Sequence, residues 1–359
     1  MSDPIVFVYV GTYTSSGSEG IYRYRLLPDG ALQPVGVTGG LANPSFLAID
    51  ATRLRLFAIH EVSEAEGRRG GAVSAFSIDA ATGDLTLLNR QSTVGPGPCH
   101  VSVDLTGKAV LVANYGGGSV ASFPVRDDGT LGEATSFIQH SGSSIDGGRQ
   151  EGPHAHSIFI DHANLHALSP DLGIDRVLVY DLDAATATLT PSESPFETLK
   201  PGAGPRHLAF SPDDRRAYVI NELDNTVTAF DYNDRTGGMK EFQSISTLPA
   251  GFSGESYCAD ILVHPNGRLL FGTNRGHDSV AIFVIDTLTG RLTAIGHEPT
   301  QGAHPRNFSF DPAATRLYVA NQDSDNIVVF DIDPETDLLK PTGHITTVSR
   351  PVCVRFLTL

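Results

Sequence analysis

One pattern constrains this chain more than any other: a unit of about fifty residues recurs along its length. "PSFLAIDATRLRLFAIHE" begins at residue 44, "PCHVSVDLTGKAVLVANY" at 98 and "PHAHSIFIDHANLHALSPD" at 153. "PRHLAFSPDDRRAYVINE" follows at 205, "CADILVHPNGRLLFGTNR" at 258, "PRNFSFDPAATRLYVANQ" at 305 and "PVCVRFLTL" at 351. Successive starts lie 46 to 55 residues apart, a spacing that means a propeller or a solenoid.

Every unit has the same grammar. An alternating run such as "HLAF" reads as a strand. A turn rich in Asp, Pro and Gly follows ("SPDD", "DLTG", "HPNG"), then an apolar strand ("AYVI", "VLVA", "LLFG"). A third strand often ends in Asp, and a second glycine turn leads to a fourth. Four antiparallel strands per unit make the blade of a β-propeller. The last unit, "PVCVRFLTL", has room for an inner strand only. The N-terminus holds three strands without an inner one: "IVFVYVGTYT", "GIYRYRL" and "LQPVGV". Joined, the two ends complete a seventh blade and leave no open sheet edge. A solenoid would instead need capping units. The expected architecture is therefore all-β: one seven-bladed propeller domain over residues 1–359, closed by terminal strands that share a blade. The Gly/Ser-rich segments "EVSEAEGRRGG" and "QHSGSSIDGGRQEG" read as surface loops.

Composition narrows the partners. The net charge of −16 argues against nucleic acid or an anionic membrane, either of which needs a basic surface. It leaves room for a small anionic substrate, because a few arginines in a cleft override the global field locally. No run approaches the ~20 apolar residues of a membrane span. The N-terminus lacks a basic region and enters a strand pattern at once, so no secretory signal is expected. Three cysteines, Cys99, Cys258 and Cys353, suit a reduced cytoplasmic protein. They read as small apolar fillers, with a nucleophilic Cys99 beside His100 as the sharper alternative. "GGG" at 116–118 precedes a strand, not a helix, so it is no phosphate loop. A monomer or small homo-oligomer is expected.

Alignment of the units produces columns that carry the chemistry. The inner-strand starts contain Ser45, Cys99, His156, Arg206, Ala259, Arg306 and Val352. The next column contains Phe46, His100, Ser157, His207, Asp260, Asn307 and Cys353. Second strands run back to the same face and end in "HE" (60–61), "NY" (114–115), "NE" (221–222), "NR" (274–275) and "NQ" (321–322). The third unit departs, with "LSPDLG" at 168–173. All these ends meet at one mouth of the central channel. His154, His156, Arg206 and His207 would gather there with Glu222, Asp260, Arg275 and Arg306. Such a set costs desolvation unless it is paired or liganded, and convergent polar groups in a concavity mark a binding site. Plainer roles compete. His100 and His207 could cap neighbouring carbonyls, and Asn114, Asn221, Asn274 and Asn321 read as turn residues bonding local backbone. Arg206 and Arg275 stand where other units carry Cys, Ala, Tyr or Gln, so the fold does not demand them.

The ordered set "VYVGTYT", "LVANYGGGSVASFPV", "EGPHAHS", "DLGIDRVLVYDLD", "GPRHLAFSPDDRRAYVINEL", "TNRGHDSVAIF" and "PRNFSFDP" resembles the seven-bladed propeller lactonase family across essentially the whole chain. The resemblance implies hydrolysis of a sugar δ-lactone, foremost 6-phospho-D-glucono-1,5-lactone of the pentose phosphate pathway, with no metal or cofactor. It places the catalytic groups at His154 or His156, Arg206, Glu222 and Arg275. Arg306, His207, Asp260 and Asn274 are the substrate-binding candidates. A histidine base would activate water, and one of Arg206 and Arg275 would hold phosphate while the other faces the oxyanion. Two alternatives stay open: a cycloisomerase closing carboxy-cis,cis-muconate to a lactone, and a non-catalytic propeller that binds a partner.

Overall fold

In the computed structural model, which describes residues 4–65 and 67–359, each repeat folds into a four-stranded antiparallel sheet. Seven such sheets form a ring, and the seventh is made from both ends of the chain. Its inner strand Pro351–Thr358 pairs with Val6–Thr12, followed outward by Gly20–Leu26 and Leu32–Gly39. Blades are numbered here from the one whose inner strand is Leu47–Asp50, so this closing blade is the seventh. Neighbouring blades touch all the way round, the seventh's inner strand meeting the first's; between the third and fourth blades the inner strand Pro205–Phe210 meets the second strand His166–Asp171 instead.

The burial pattern explains the order of strands. Second strands such as Ala109–Asn114 and Leu269–Arg275 are buried at every residue, because both faces of the blade are covered by neighbours. Outer strands such as Leu32–Gly39 lie mostly open to solvent, Val35 and Val37 included. Apolar clusters lie between blades, for example Phe7, Phe57, Phe76 and Phe123 on one side of the ring.

Polar staples fix each blade to the next at the mouth. The residue closing the second-to-third-strand turn reaches across: Asn225 Nδ2 donates to Ser256 O at 2.8 Å, and Asp278 accepts from His304 N at 2.9 Å. Asp325 accepts from Arg350 N at 2.8 Å. Asn114, Asn274 and Asn321 donate to the carbonyls of Thr93, Thr247 and Thr300, which lie at the end of the preceding blade, so they bond across blades and not to local backbone as expected from the sequence. In the third blade Asp171 takes this position and pairs with His140 at 2.6 Å. Its inner strand shrinks to Phe159–Ile160, which leaves residues 151–158 as an irregular approach.

The two long segments differ from simple surface loops. Residue 66 lies outside the described residues, yet Glu64–Ala65 and Arg68–Arg69 on either side of it pair as a ribbon. Residues 140–153 fold over the mouth, with Gln150 fully buried.

Candidate active site at the propeller mouth

The columns become layers stacked along the axis. Uppermost are second-strand ends. Glu61, Tyr115, Glu222 and Arg275 line a cleft of about 260 Å³, together with Arg149, Tyr257, Cys99, His156 and Arg306. Below it lie the strand starts. Ser45, Cys99, His156, Arg206, Arg306 and Val352 surround a void of only about 10 Å³, room for roughly one water. Deeper still, Phe46, His100, Phe159 and His207 plug the channel, with ring centroids 4.3–5.9 Å apart.

Glu222 is the electrostatic centre of the cleft. Arg206 Nε donates to its Oε2 at 2.9 Å, Arg275 Nη2 forms an ion pair with the same oxygen at 2.9 Å, and Arg149 Nη2 donates to Oε1 at 2.6 Å. Its place is built by the Gly-Pro turn: Glu222 N donates to Gly204 O at 2.7 Å. Gly204 sits at φ +65°, where a Cβ would lie 2.5 Å from Leu223 Cγ, so only glycine fits. Burial alone would raise the Glu222 carboxyl, but Arg275, Arg206 and Arg149 overcome it and hold the group well below the usual carboxylate range.

The arginines divide by what they have left to give. Arg206 is 2% exposed and also donates to Ala259 O at 2.6 Å. Burial, Arg275 and Arg306 pull it down to about 10. It props up the site from below and does not line the cleft. Arg275 lines it while donating to Cys258 O at 2.7 Å. Arg306 makes no hydrogen bond or ion pair among the described residues; its guanidinium lies 5.6 Å from the Tyr13 ring centroid. Burial disfavours its charge, yet Tyr13 and Glu61 outweigh that and keep it protonated. Glu61 Oε2 is occupied by Tyr13 Oη at 2.9 Å and Ser45 Oγ at 2.5 Å. Four guanidiniums thus face two carboxylates, a local positive surplus in a chain of net charge −16.

The two histidines separate clearly. His156 lines the cleft, with Nε2 3.9 Å from Glu222 Oε2. Burial, Arg206, His207 and Arg306 lower it well below the ordinary histidine value, so it is neutral at pH 7. His154 lies at the rim, stacked on Tyr115 at 4.5 Å, and its Nδ1 bonds Tyr115 O at 3.0 Å. The other candidates fall away from the cleft. His207 Nδ1 bonds Asp260 Oδ1 at 2.7 Å, and Asp260 Oδ2 accepts from Asn307 Nδ2 at 2.5 Å. These groups fasten neighbouring blades within the plug. Asn274 is buried and its amide is used by Thr247 and Ser279, so it does not reach a substrate. Cys99 touches His156, not His100, with Sγ 3.0 Å from His156 O. Burial pushes its thiol far up, which removes it as a nucleophile.

Sequence reasoning missed Glu61, Tyr115, Tyr257, Tyr13 and Arg149. Glu61 and Tyr115 occupy the same column as Glu222 and Arg275, so the column itself was the signal. Arg149 belongs to no column. Among the described residues, no group of three or more His, Cys, Asp or Glu side chains is placed to hold a metal.

A seven-bladed propeller with a cation-rich cleft over a plugged channel is the frame of a small-molecule enzyme. The chain matches the family described as lactonase, 7-bladed beta-propeller, over residues 7–356, and it belongs to that family. It is a lactone-hydrolysing enzyme. It is 40% identical over 350 residues to the 6-phosphogluconolactonase of Bacillus subtilis, covering 97% of each chain. It is 34% identical to the 6-phosphogluconolactonase of Formosa agariphila, covering 87% of this chain and 88% of that one. The solved periplasmic gluconolactonase of Pseudomonas aeruginosa superposes with a TM-score of 0.91 at 32% identity, covering 98% of this chain and 99% of the other.

Proposed function

We propose that the substrate is 6-phospho-D-glucono-1,5-lactone and that His156 is the general base of its hydrolysis. The observation that carries this is the pairing of a neutral imidazole with an unpaired guanidinium, Arg306, at the floor of one cleft. Water lies between the imidazole and C1 of the lactone. Its oxygen attacks C1 as its proton passes to His156 Nε2, a step worth roughly 10²–10⁴-fold. Glu222, 3.9 Å away, stabilises the imidazolium. The carbonyl oxygen becomes an oxyanion facing Arg306, which makes no hydrogen bond or ion pair among the described residues. The C1–O5 bond then breaks, and the imidazolium returns its proton to the ring oxygen.

The local positive surplus favours an anionic lactone, in keeping with the relatives named 6-phosphogluconolactonase. The same cations would suit the carboxylates of carboxymuconate; the lactone is favoured over the cycloisomerase alternative by the names of these relatives. We read the compartment as the cytoplasm, on the three buried free cysteines; cell fractionation checks it.

The test is a lactone assay corrected for spontaneous ring opening. Purified protein should open 6-phosphoglucono-1,5-lactone with a higher kcat/KM than glucono-1,5-lactone, and should leave carboxymuconate unchanged. No acceleration with either lactone would refute the reading.

A further inference from the structure

Arg149 is the one cleft arginine that the repeat does not supply. It lies in the connection between the second and third blades, where Arg149 N donates to Asp146 Oδ1 at 3.1 Å. Beside it, the carboxamide of Gln150 donates to Leu172 O and Asp175 Oδ1, both at 2.8 Å, and accepts from Asp146 N at 3.2 Å. Asp175 also accepts from Gly202 N and Gly204 N at 2.7 Å, which ties this connection to the turn that carries Arg206. Only the Arg149 side chain is left to move. It is 35% exposed, against 2% and 7% for Arg206 and Arg275. Besides Glu222, among the described residues its side chain meets Tyr115 Oη at 3.3 Å and the Tyr257 ring at 5.9 Å.

The two oxygens of Glu222 are therefore unequal. Oε2 is locked by two buried strand arginines, and stripping either would strand a buried charge. Oε1 is held by Arg149, a half-exposed cation whose pairing is weaker in water. If Arg149 swings away, two cations still neutralise the carboxylate. A phosphoryl group brings nearly two charges and three acceptor oxygens, and a guanidinium binds it in bidentate fashion. It outcompetes one oxygen of a carboxylate whose other oxygen already has two cationic partners.

The geometry points to Arg149 as a swinging clamp that the phosphoryl group of the substrate takes from Glu222. This rests on the lactone reading above and deepens it. The exchange seats the anionic end at the rim and frees Glu222 Oε1, leaving that carboxylate with more charge to offer the His156 imidazolium. An unphosphorylated lactone cannot drive the exchange, so the clamp sets specificity.

Arg149→Met and Arg149→Lys test it, each assayed with phosphorylated and unphosphorylated gluconolactone and titrated with 6-phosphogluconate. In Arg149→Met the KM for the phosphorylated lactone should rise at least tenfold more than that for the unphosphorylated one. The affinity for 6-phosphogluconate should fall at least tenfold, and lysine should restore part of both. A crystal structure with 6-phosphogluconate should show Arg149 on the phosphate and off Glu222. Equal changes in the two KM values, unaltered 6-phosphogluconate affinity, or a complex that keeps the 2.6 Å pair would each overturn the clamp. If the wild-type protein opens neither lactone, the functional reading fails, while the titration and the complex still decide the clamp.

Discussion

The cleft and the plug beneath it are built from the same residue types, yet they do opposite things. In the plug, His207, Asp260 and Asn307 satisfy one another at 2.5–2.7 Å, and Val354 N closes the chain onto Asn307 Oδ1 at 2.7 Å. Every group there is spent on joining blades. One layer higher, Arg306 has no such partner and His156 Nε2 stops 3.9 Å short of Glu222. The difference teaches that polar convergence on a propeller axis is not itself a site. What marks the site is capacity left over after the blades have been joined.

The sharpest way to break the comparison is at the two histidines. His156→Gln should lower kcat by roughly 10²–10⁴-fold, while His154→Gln, altering a rim residue stacked on Tyr115, should cost less than about tenfold. Steady-state kinetics on both variants checks this, and a reversed order would transfer the base to the rim. Next in size is Glu222→Ala, which leaves Arg206 and Arg275 buried without a counter-charge. Such a loss costs about 3–5 kcal/mol, readable as a fall in denaturation midpoint.

Arg306→Met removes a charged hydrogen bond to the oxyanion, worth about 1.5–3 kcal/mol. It should lower kcat by about ten- to a hundredfold on phosphorylated and unphosphorylated lactone alike. A loss confined to the phosphorylated substrate would assign Arg306 to phosphate instead. Asp260→Asn probes the plug: stability should fall by about 1–3 kcal/mol while kcat stays near the wild-type value. A large kcat loss at wild-type stability would erase the distinction between the layers.

The mildest probe is pH. His156 works only when neutral, and its value lies well below 6.5. The acid limb of kcat/KM should therefore fall below pH 6.5, not at it. Stability follows the same sign. Burial and Arg206 lower His207 to about 4, so between pH 6.5 and about 4 the unfolded chain binds protons that the folded chain refuses. Stabilisation is full above pH 6.5 and is lost as pH falls through that window, measurable as a falling Tm. A Tm that stays level over that window would mean these histidines titrate normally in the fold.

The blade count, the shared closing blade and the columns facing the axis were legible in the sequence alone. They rest on apolar alternation and turn chemistry, which repeat every fifty residues and act locally. Arg206, Glu222, Arg275, His156 and Arg306 could be placed at one mouth for the same reason. Which of them keeps a free valence was decided by the tertiary structure. That Arg206 is used up by Glu222 and Ala259 O, that Asn274 is held by Thr247 and Ser279 and that His156 rather than His154 looks into the cleft all depend on side-chain contacts, within blades and between them, that the period does not specify. Arg149 makes the point most plainly. It comes from a glycine-rich connection with no counterpart in other repeats, and its conformation is set by Gln150 and Asp175 rather than by any period. Periodicity encodes the frame, because each blade must bury the same faces; charge pairing is decided at the axis, where Glu222 meets Arg206 of its own blade, Arg275 of the next blade and Arg149 of a connection.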